Sequence, residues 1–433
     1  MRIDPESEST VALTVMKDGS DVGQRAVIVV GAGLVGLSSA YYLRKAGASV
    51  TVLERGIVGG GASRFNAGEI TTSVSPLPGP DIVKEVAGTI FRSDGAVRIT
   101  PSQLVRGSRF FFRFLRNCTG ATYDSRTAAL IALNRLSFEF YDGLAAAGIV
   151  TDMHTGGYLV CTASRAAAEA ARQHYLEAPY EATSPGPLLD EQELRGVEPA
   201  LSKAARCGFI RPDERWIDPS RFVDRLATAL REMGVEIVEK AAVSGLETTA
   251  SGMRVESSIG AFLGDSVVLA AGIWSDNLCR GLGTALGMEP GKGYSFTVPV
   301  ETAPQRLIIF SDQHVVATPL DGRVRIAGTM EFDGTREVLN PRRIEAMVAA
   351  VKDFLPGADW DHIRDKWVAP RPMTPDGLPN IGRLRTAPRV IVATGHNMLG
   401  LTLAPATGSV VTDLVLARDP GIDLMPFDPH RFS

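Results

Sequence analysis

The hydrophobic pattern changes period twice in a short stretch. Residues 26–30 (Ala-Val-Ile-Val-Val) are an unbroken apolar run, mostly β-branched, which is the pattern of a parallel strand buried on both faces. Apolar positions then fall at helical spacing (Leu37, Ala40, Tyr41, Leu43) until Gly47, a natural helix stop. Ser49–Leu53 returns to the strand pattern, and Glu54 closes it. Similar strand runs come much later, at 234–238, at 265–272 (ending Ala271-Gly272) and at 390–394 (ending at Gly395), the last followed by an apolar helix to about Leu416. Strands of one parallel sheet so far apart in sequence predict a discontinuous domain.

The segments between have other periods. Residues 128–147 and 340–354 read as helices, and 164–178 as a helix capped by Ser164. Asp218 is placed to cap a helix starting at Pro219, with Phe222, Leu226 and Leu230 on its inner face. Residues 157–161 predict a strand, and the alternation at 315–319 and 324–327 predicts half-buried antiparallel strands. Phe110, Phe111, Phe112 and Phe114 fall in a predicted helix beside Arg113 and Arg116. They fit core packing, or a surface for a partner or membrane.

Composition excludes several classes. The chain has 433 residues, net charge −4 and no basic stripe, which argues against nucleic acid as a partner. Its four cysteines (Cys118, Cys161, Cys207, Cys279) have no metal-ligand spacing, so no metal site is expected and a reducing, cytoplasmic setting is. No apolar stretch is long enough to span a bilayer. Peripheral contact with the inner face of the cell membrane stays open. Residues 1–24 read as a flexible extension rather than a secretory signal.

The strongest chemical signal is Gly31-Ala32-Gly33-Leu34-Val35-Gly36, set between the first strand and helix. Gly31 permits the tight turn, Gly33 lets a pyrophosphate approach, and Gly36 lets the helix pack on the strand. The helix N-terminus, with Leu34 and Val35, offers N–H groups and a positive dipole end to phosphate. Glu54 is placed to accept from a ribose hydroxyl, with Arg55 beside it. A second small-residue loop follows (Gly59 to Ile70), including Ala62, Ser63, Asn66, Ala67 and Gly68. NAD-binding domains usually continue from the acid to another helix and strand, so this loop favours a larger flat cofactor, FAD, bound non-covalently. Val243, Ala271, Gly272 and Trp274 could approach the same cofactor. So could the loop and helix start Gly395, Asn397, Met398, Leu399, Gly400, Leu401 and Thr402, whose N–H groups would stabilise charge on a reduced flavin.

These motifs, with Arg116-Asn117-Cys118, Gly291-Lys292-Gly293-Tyr294-Ser295, Arg371-Pro372-Met373-Thr374-Pro375-Asp376-Gly377 and Thr394-Gly395-His396, occur in an order that resembles the glycine/D-amino acid oxidase (DAO) superfamily of flavoproteins. Within it the likeness is to the small subunits of bacterial D-amino acid dehydrogenases. The resemblance implies an α/β fold: a Rossmann-like FAD-binding domain of the glutathione-reductase type plus a mixed-sheet α+β substrate domain. The expected boundaries are 25–80, 205–290 and 365–425 for the first, and 81–204 and 291–364 for the second. It also implies that Val243 meets adenine through its backbone and that Arg371 clamps a substrate carboxylate, where the residue-level alternative is a surface ion pair. The chain departs from the dehydrogenase pattern at Asn397-Met398 and Leu401, where substrate and acceptor would meet the flavin.

The implied reaction is oxidative deamination of a small amino acid, foremost a D-amino acid: hydride leaves the α-carbon for flavin N5, and the imine hydrolyses to a keto acid. Secondary amines (D-proline, D-hydroxyproline, sarcosine) and glycine are alternative substrates. Oxygen, a quinone or a partner subunit would accept the electrons. An electron-transfer subunit without its own turnover and an NAD-linked dehydrogenase are the competing classes. Such chemistry needs orientation more than acid–base groups. Arg371 supplies a planar cation. Tyr294 is a candidate for a hydroxyl near the carboxylate, a pocket wall or plain packing. His396 could donate to the flavin, line the pocket or satisfy backbone.

Overall fold

The computed structural model describes residues 25–80, 82, 90, 95–177 and 184–433; the expected N-terminal extension lies outside the described residues. The first β–α–β unit forms as its pattern predicts: β1 (Ala26–Val30), α1 (Leu34–Lys45) and β2 (Ser49–Leu53). Chain segments from further on complete the sheet: β3 (Glu236–Val238), β4 (Ser266–Leu269), β8 (Asn380–Arg383) and β9 (Val390–Thr394), in the order β8-β9-β4-β1-β2-β3. All neighbours are parallel except β8, which runs antiparallel to β9. Strands buried on both faces need no polar alternation. Val27, Val29, Val50, Val52 and Val268 accordingly pack against the helices on one face, while Ile28, Val30, Val267 and Leu269 pack on the other.

Those helices are α1, α3 (Pro219–Glu232) and α4 (Gly400–Leu416). Asp218 caps α3 through Ser220 N–H at 2.9 Å, and Phe222, Leu226 and Leu230 are buried, as the spacing predicts. Helix α4 lies so close to α1 that a Cβ on Gly408 would meet the Ser38 carbonyl carbon at 2.6 Å. The long helix α2 (Gly120–Ala146) braces the start of α4, where the Tyr141 hydroxyl donates to the Leu401 carbonyl at 2.6 Å.

A nine-stranded mixed sheet forms the other half. At its site-facing end lie β5 (Glu289–Pro299), β6 (Arg323–Phe332) and β7 (Arg364–Met373), with β5 between the other two. The opposite face packs on the helix Pro341–Val351, capped by Asn340. Two strands depart from the expected boundaries. The expected boundaries place Cys207–Arg211 and most of β7 with the nucleotide-binding segments, yet both pair within this second sheet. Their short apolar runs fit either sheet, and pattern alone cannot say which neighbour a strand takes.

Hydroxyls tie the halves together: Ser295 of β5 donates to the Phe65 carbonyl at 2.7 Å, and Thr318 donates to the Ala67 carbonyl at 2.5 Å. The second sheet therefore holds the small-residue loop of the first.

Candidate active site

A cavity of about 1450 Å³ runs between the halves, from the carboxyl ends of β1 and β2 to β5, β6 and β7. It is larger than the ~300–1,000 Å³ usual for small-ligand pockets, as a dinucleotide plus a substrate requires. At the nucleotide end the three glycines take different roles. A Cβ on Gly31 (φ +105°) would meet the Ala270 carbonyl oxygen at 2.5 Å, and one on Gly36 would meet the Gly31 oxygen at 1.9 Å. Both are required by the protein's own packing. A Cβ on Gly33 would meet only Ser63 Oγ, at 3.1 Å, and otherwise project into the cavity. The absence of a side chain at Gly33 thus leaves room for a ligand rather than for the protein's own packing. The Glu54 carboxylate is fixed by N–H donors from Ala32 at 2.8 Å and Gly56 at 2.9 Å, and keeps acceptor capacity toward the cavity. This cradle fits an extended dinucleotide with its pyrophosphate on the α1 N-terminus and its ribose at Glu54.

Leu34, Val35, Ala62, Ser63, Asn66 and Ala67 line the cavity near that end, as expected. Ser63 Oγ accepts from Leu34 N–H at 3.0 Å. Asn66 stiffens its own turn by donating to the Ser63 carbonyl at 2.7 Å and accepting from Gly68 N–H at 2.8 Å. Gly68 is not in the wall; its φ of +76° and close approach to the Ile217 carbonyl turn the chain there. Val243, Ala271, Gly272 and Trp274 line the far side, and the Arg55 guanidinium lies 3.4 Å from the Trp274 ring centre.

At the other end, Asn397, Met398, Gly400 and Leu401 line the cavity, whereas Gly395, Leu399 and Thr402 lie behind the wall. Asn397, at φ +53°, spends its side chain on loops. It accepts from Thr374 N–H at 2.8 Å and donates to the Gly377 and Gly395 carbonyls, each at 2.9 Å. Thr402 ties α4 to the loop by donating to the Glu69 carbonyl at 3.2 Å.

The candidate catalytic residues separate. Arg371 lines the cavity, and burial pulls its guanidinium pKa down to about 10 while Glu69 opposes that shift. It is held over Gly293, where a Cβ would meet its Nη2 at 2.1 Å, and it donates to the Thr329 carbonyl at 3.0 Å. A bulge aims that carbonyl: Lys292 pairs with Glu331 but Tyr294 with Gly328, leaving an extra residue on β6. Within it Thr329 takes φ +58°, a strained conformation for a β-branched residue, of the kind that gathers at functional sites. His396 also lines the cavity. Burial pushes its pKa down to about 3, so the imidazole is neutral at physiological pH, and Nε2 pairs with Thr407 Oγ1 at 3.0 Å.

Tyr294 does not join them. It is packed in the core beneath the sheet, its hydroxyl bonded to the Glu331 carboxylate, and burial and that carboxylate raise its pKa. Strand alternation explains this: Gly293 faces the cavity beside Arg371, so its neighbour turns inward. Among the cavity residues to which the sequence assigned no role are Glu69 and Thr329. Glu69 could have been found as the one acid directly after Asn66-Ala67-Gly68. Thr329 had no signal, because it depends on a bulge. The described residues contain no cluster suited to a metal ion and no helix long and apolar enough to cross a membrane.

The chain is similar to known proteins along most of its length. The DAO family of FAD-dependent oxidoreductases matches residues 26–414. A D-amino acid dehydrogenase of Cereibacter sphaeroides is 34% identical over 94% of this chain and 95% of its own length. One from Rhodopseudomonas palustris is 31% identical over 94% and 98%. Among solved structures, glycine oxidase from Geobacillus kaustophilus has a TM-score of 0.70 at 21% identity, covering 95% of this chain and all of its own. The L-amino acid deaminase of Proteus myxofaciens, solved with anthranilate, has a TM-score of 0.71 at 20% identity over 98% and 97%. At those identities the structures speak for the fold, which is the expected Rossmann-like FAD domain with a mixed-sheet partner. The motif-by-motif order, the cradle at Gly33 and the match over residues 26–414 have one meaning: the chain belongs to the DAO family of FAD-dependent oxidoreductases.

Proposed function

We propose that this enzyme oxidises the amine of a small amino acid, foremost a D-amino acid, to an imine that hydrolyses to a keto acid. The observation that carries this reading is Arg371: an enclosed guanidinium in the cavity wall whose hydrogen bonds to the described residues are to the Thr329 carbonyl and the Met330 sulfur, with no carboxylate bonded to it. Such a group is costly to bury without an anion, and a planar carboxylate matches it in two-point fashion. The dehydrogenase names of the relatives supply the D-configuration. FAD, when bound, supplies the two-electron oxidant. The chain's own residues then orient and exclude. Arg371 fixes the carboxylate, Met398 and Leu401 form an apolar wall, and neutral His396 adds no competing charge. Glycine and the secondary amines D-proline, D-hydroxyproline and sarcosine are the second choice, because a carboxylate clamp at Arg371 accepts them as well.

Anaerobic mixing with a panel of D- and L-amino acids tests the reading. Bleaching of the flavin by small D-amino acids is expected, and no bleaching by any amine would sink it.

The acceptor we assign is an apolar one, a quinone drawn from a lipid surface. Leu104 and Leu115 belong both to the cavity wall and to an exposed face that also carries Val105 and Phe112. Arg106, Arg109 and Arg116 share that face, and residues 95–123 contain no acid although the chain carries a net charge of −4. Apolar and cationic side chains mixed on short helices suit an anionic bilayer. Co-sedimentation with phosphatidylglycerol vesicles, falling several-fold for Phe112→Ser, checks this. Equal recovery with neutral phosphatidylcholine would count against it.

A further inference from the structure

Amine oxidation needs the lone pair of a neutral amine, yet an amino acid in water arrives as an ammonium. Some group has to meet that cation in a cavity whose other charged anchor, Arg371, is also positive. Glu69 is suited by place and by surroundings. It begins a two-residue strand, Glu69–Ile70, directly after the turn at Gly68, and its side chain lines the same cavity as Arg371. The backbone there is pinned, since Glu69 pairs with Trp216 and its carbonyl accepts from Thr402. Its carboxylate has no hydrogen-bond partner among the described residues, whereas the other nearby acid, Glu214, is bonded to Arg211 and to Thr72.

We propose that Glu69 receives the substrate's amine: its carboxylate faces the ammonium while Arg371 holds the carboxylate, and it takes the proton that the nitrogen must lose. In that step one N–H bond breaks, one O–H bond forms on Glu69, and the electron pair stays on nitrogen, with no change of oxidation state. This assignment rests on the reading of the enzyme as an amino-acid oxidoreductase and names the polar subsite within it. The environment favours the role. Burial raises the Glu69 pKa to about 6, against the opposing pull of Arg211 and Arg371, which makes it a better proton acceptor than an ordinary carboxylate. The groups around it are few: Arg371, Arg211, the Glu214 and Arg215 that follow the Arg211 strand, Tyr158 and His396. Glu214 is taken by Arg211 and Arg215 by Asp142, Tyr158 is raised beyond titration at working pH, and His396 is already neutral there. Glu69 is therefore the group in this shell placed to exchange a proton near pH 6.

The test uses the FAD-loaded enzyme and its Glu69→Gln variant with two redox-silent ligands. 2-Aminoisobutyrate has the amine and carboxylate but no α-hydrogen; isobutyrate lacks the amine. Binding is read from the flavin absorbance. Glu69→Gln is expected to weaken 2-aminoisobutyrate about 10- to 100-fold, the range for losing a charge-assisted hydrogen bond, and to leave isobutyrate unchanged or tighter. Flavin reduction by D-alanine should lose its acid limb near pH 6 in the variant. Equal weakening of both ligands would make Glu69 only a counter-ion that positions Arg371, and overturn the proposal. Unchanged binding of 2-aminoisobutyrate, or an effect confined to D-lysine, would also overturn it. If the wild-type flavin is bleached by no amino acid at all, the parent reading has failed instead, and that outcome is visible before the variant is made.

Discussion

The two ends of the cavity are built in opposite ways. The nucleotide end is centred on one continuous stretch, residues 30–67, where strand, turn, helix and acid follow one another in sequence, and Val243, Ala271, Gly272 and Trp274 only close its far side. The proposed substrate end is gathered from distant segments: Glu69 from the loop, Thr329 from β6, Arg371 from β7, and Leu401 from α4. A dinucleotide needs backbone approach, which glycine spacing can encode locally. A small amino acid needs opposed charges in fixed positions, which only tertiary pairing provides. Damage to the first end should therefore be all-or-none, and damage to the second graded. The largest expected effects set this out. Gly36→Ala puts a Cβ against the Gly31 backbone oxygen, which cannot swing aside, and should cost the fold as well as the cofactor. Gly33→Val meets little protein and should leave a folded chain that is colourless after purification. Circular dichroism with flavin absorbance separates the two, and a yellow, folded Gly33→Val would break the contrast.

At the substrate end Arg371→Ala should keep FAD and raise KM on the order of 10²- to 10³-fold, since a bidentate charge-assisted pair is lost. Gly293→Ala is the sharper variant, because it alters no charged group. Its Cβ would overlap the Arg371 guanidinium, the mobile end of a flexible side chain, so the arginine shifts rather than the sheet. A rise in KM of about tenfold with near-native melting is expected, the scale of a misplaced charged hydrogen bond. A variant with native KM would mean that the arginine's seat over Gly293 is irrelevant to binding.

The same contrast explains what the sequence could convey. Gly31, Gly33, Gly36 and Glu54 were legible because each role follows from position within one β–α–β unit, and α3 with its Asp218 cap was legible for the same local reason. Arg371 came through the family likeness; no periodicity marks it. Tyr294 stayed open between pocket and packing because its strand has a cavity face and a core face, and only the pairing of β5 with β6 shows which one it joins. Glu69 stood beside a recognised motif but gained meaning only when Arg371 arrived from a strand about three hundred residues later. Thr329 owes its place to the bulge, which no residue type there announces. The sheet membership of Cys207–Arg211 failed for a related reason: a strand's neighbours are a property of the whole fold.

The smallest expected effect asks what joins the two ends. Arg55 and Glu337 bridge them at the surface at 2.9 Å, both partners more than a third exposed. Ser295 bridges them beneath the surface through the Phe65 carbonyl. An exposed ion pair contributes little after solvent screening, so Glu337→Gln should leave melting and FAD retention within error. Ser295→Ala removes a hydroxyl that is itself buried and strips a carbonyl of its donor, at a cost of about 1 kcal/mol. That carbonyl sits one residue before Asn66, in the loop that leads to Glu69, so the loss should loosen both ends together. FAD dissociation should rise by about fivefold, matching that energy, and the KM of D-alanine should rise with it. If FAD is held as tightly as in wild type and only KM moves, the loop serves the substrate end alone. If Glu337→Gln proves the more damaging of the two, the halves are held from outside, and the buried hydroxyls are not what sets their spacing.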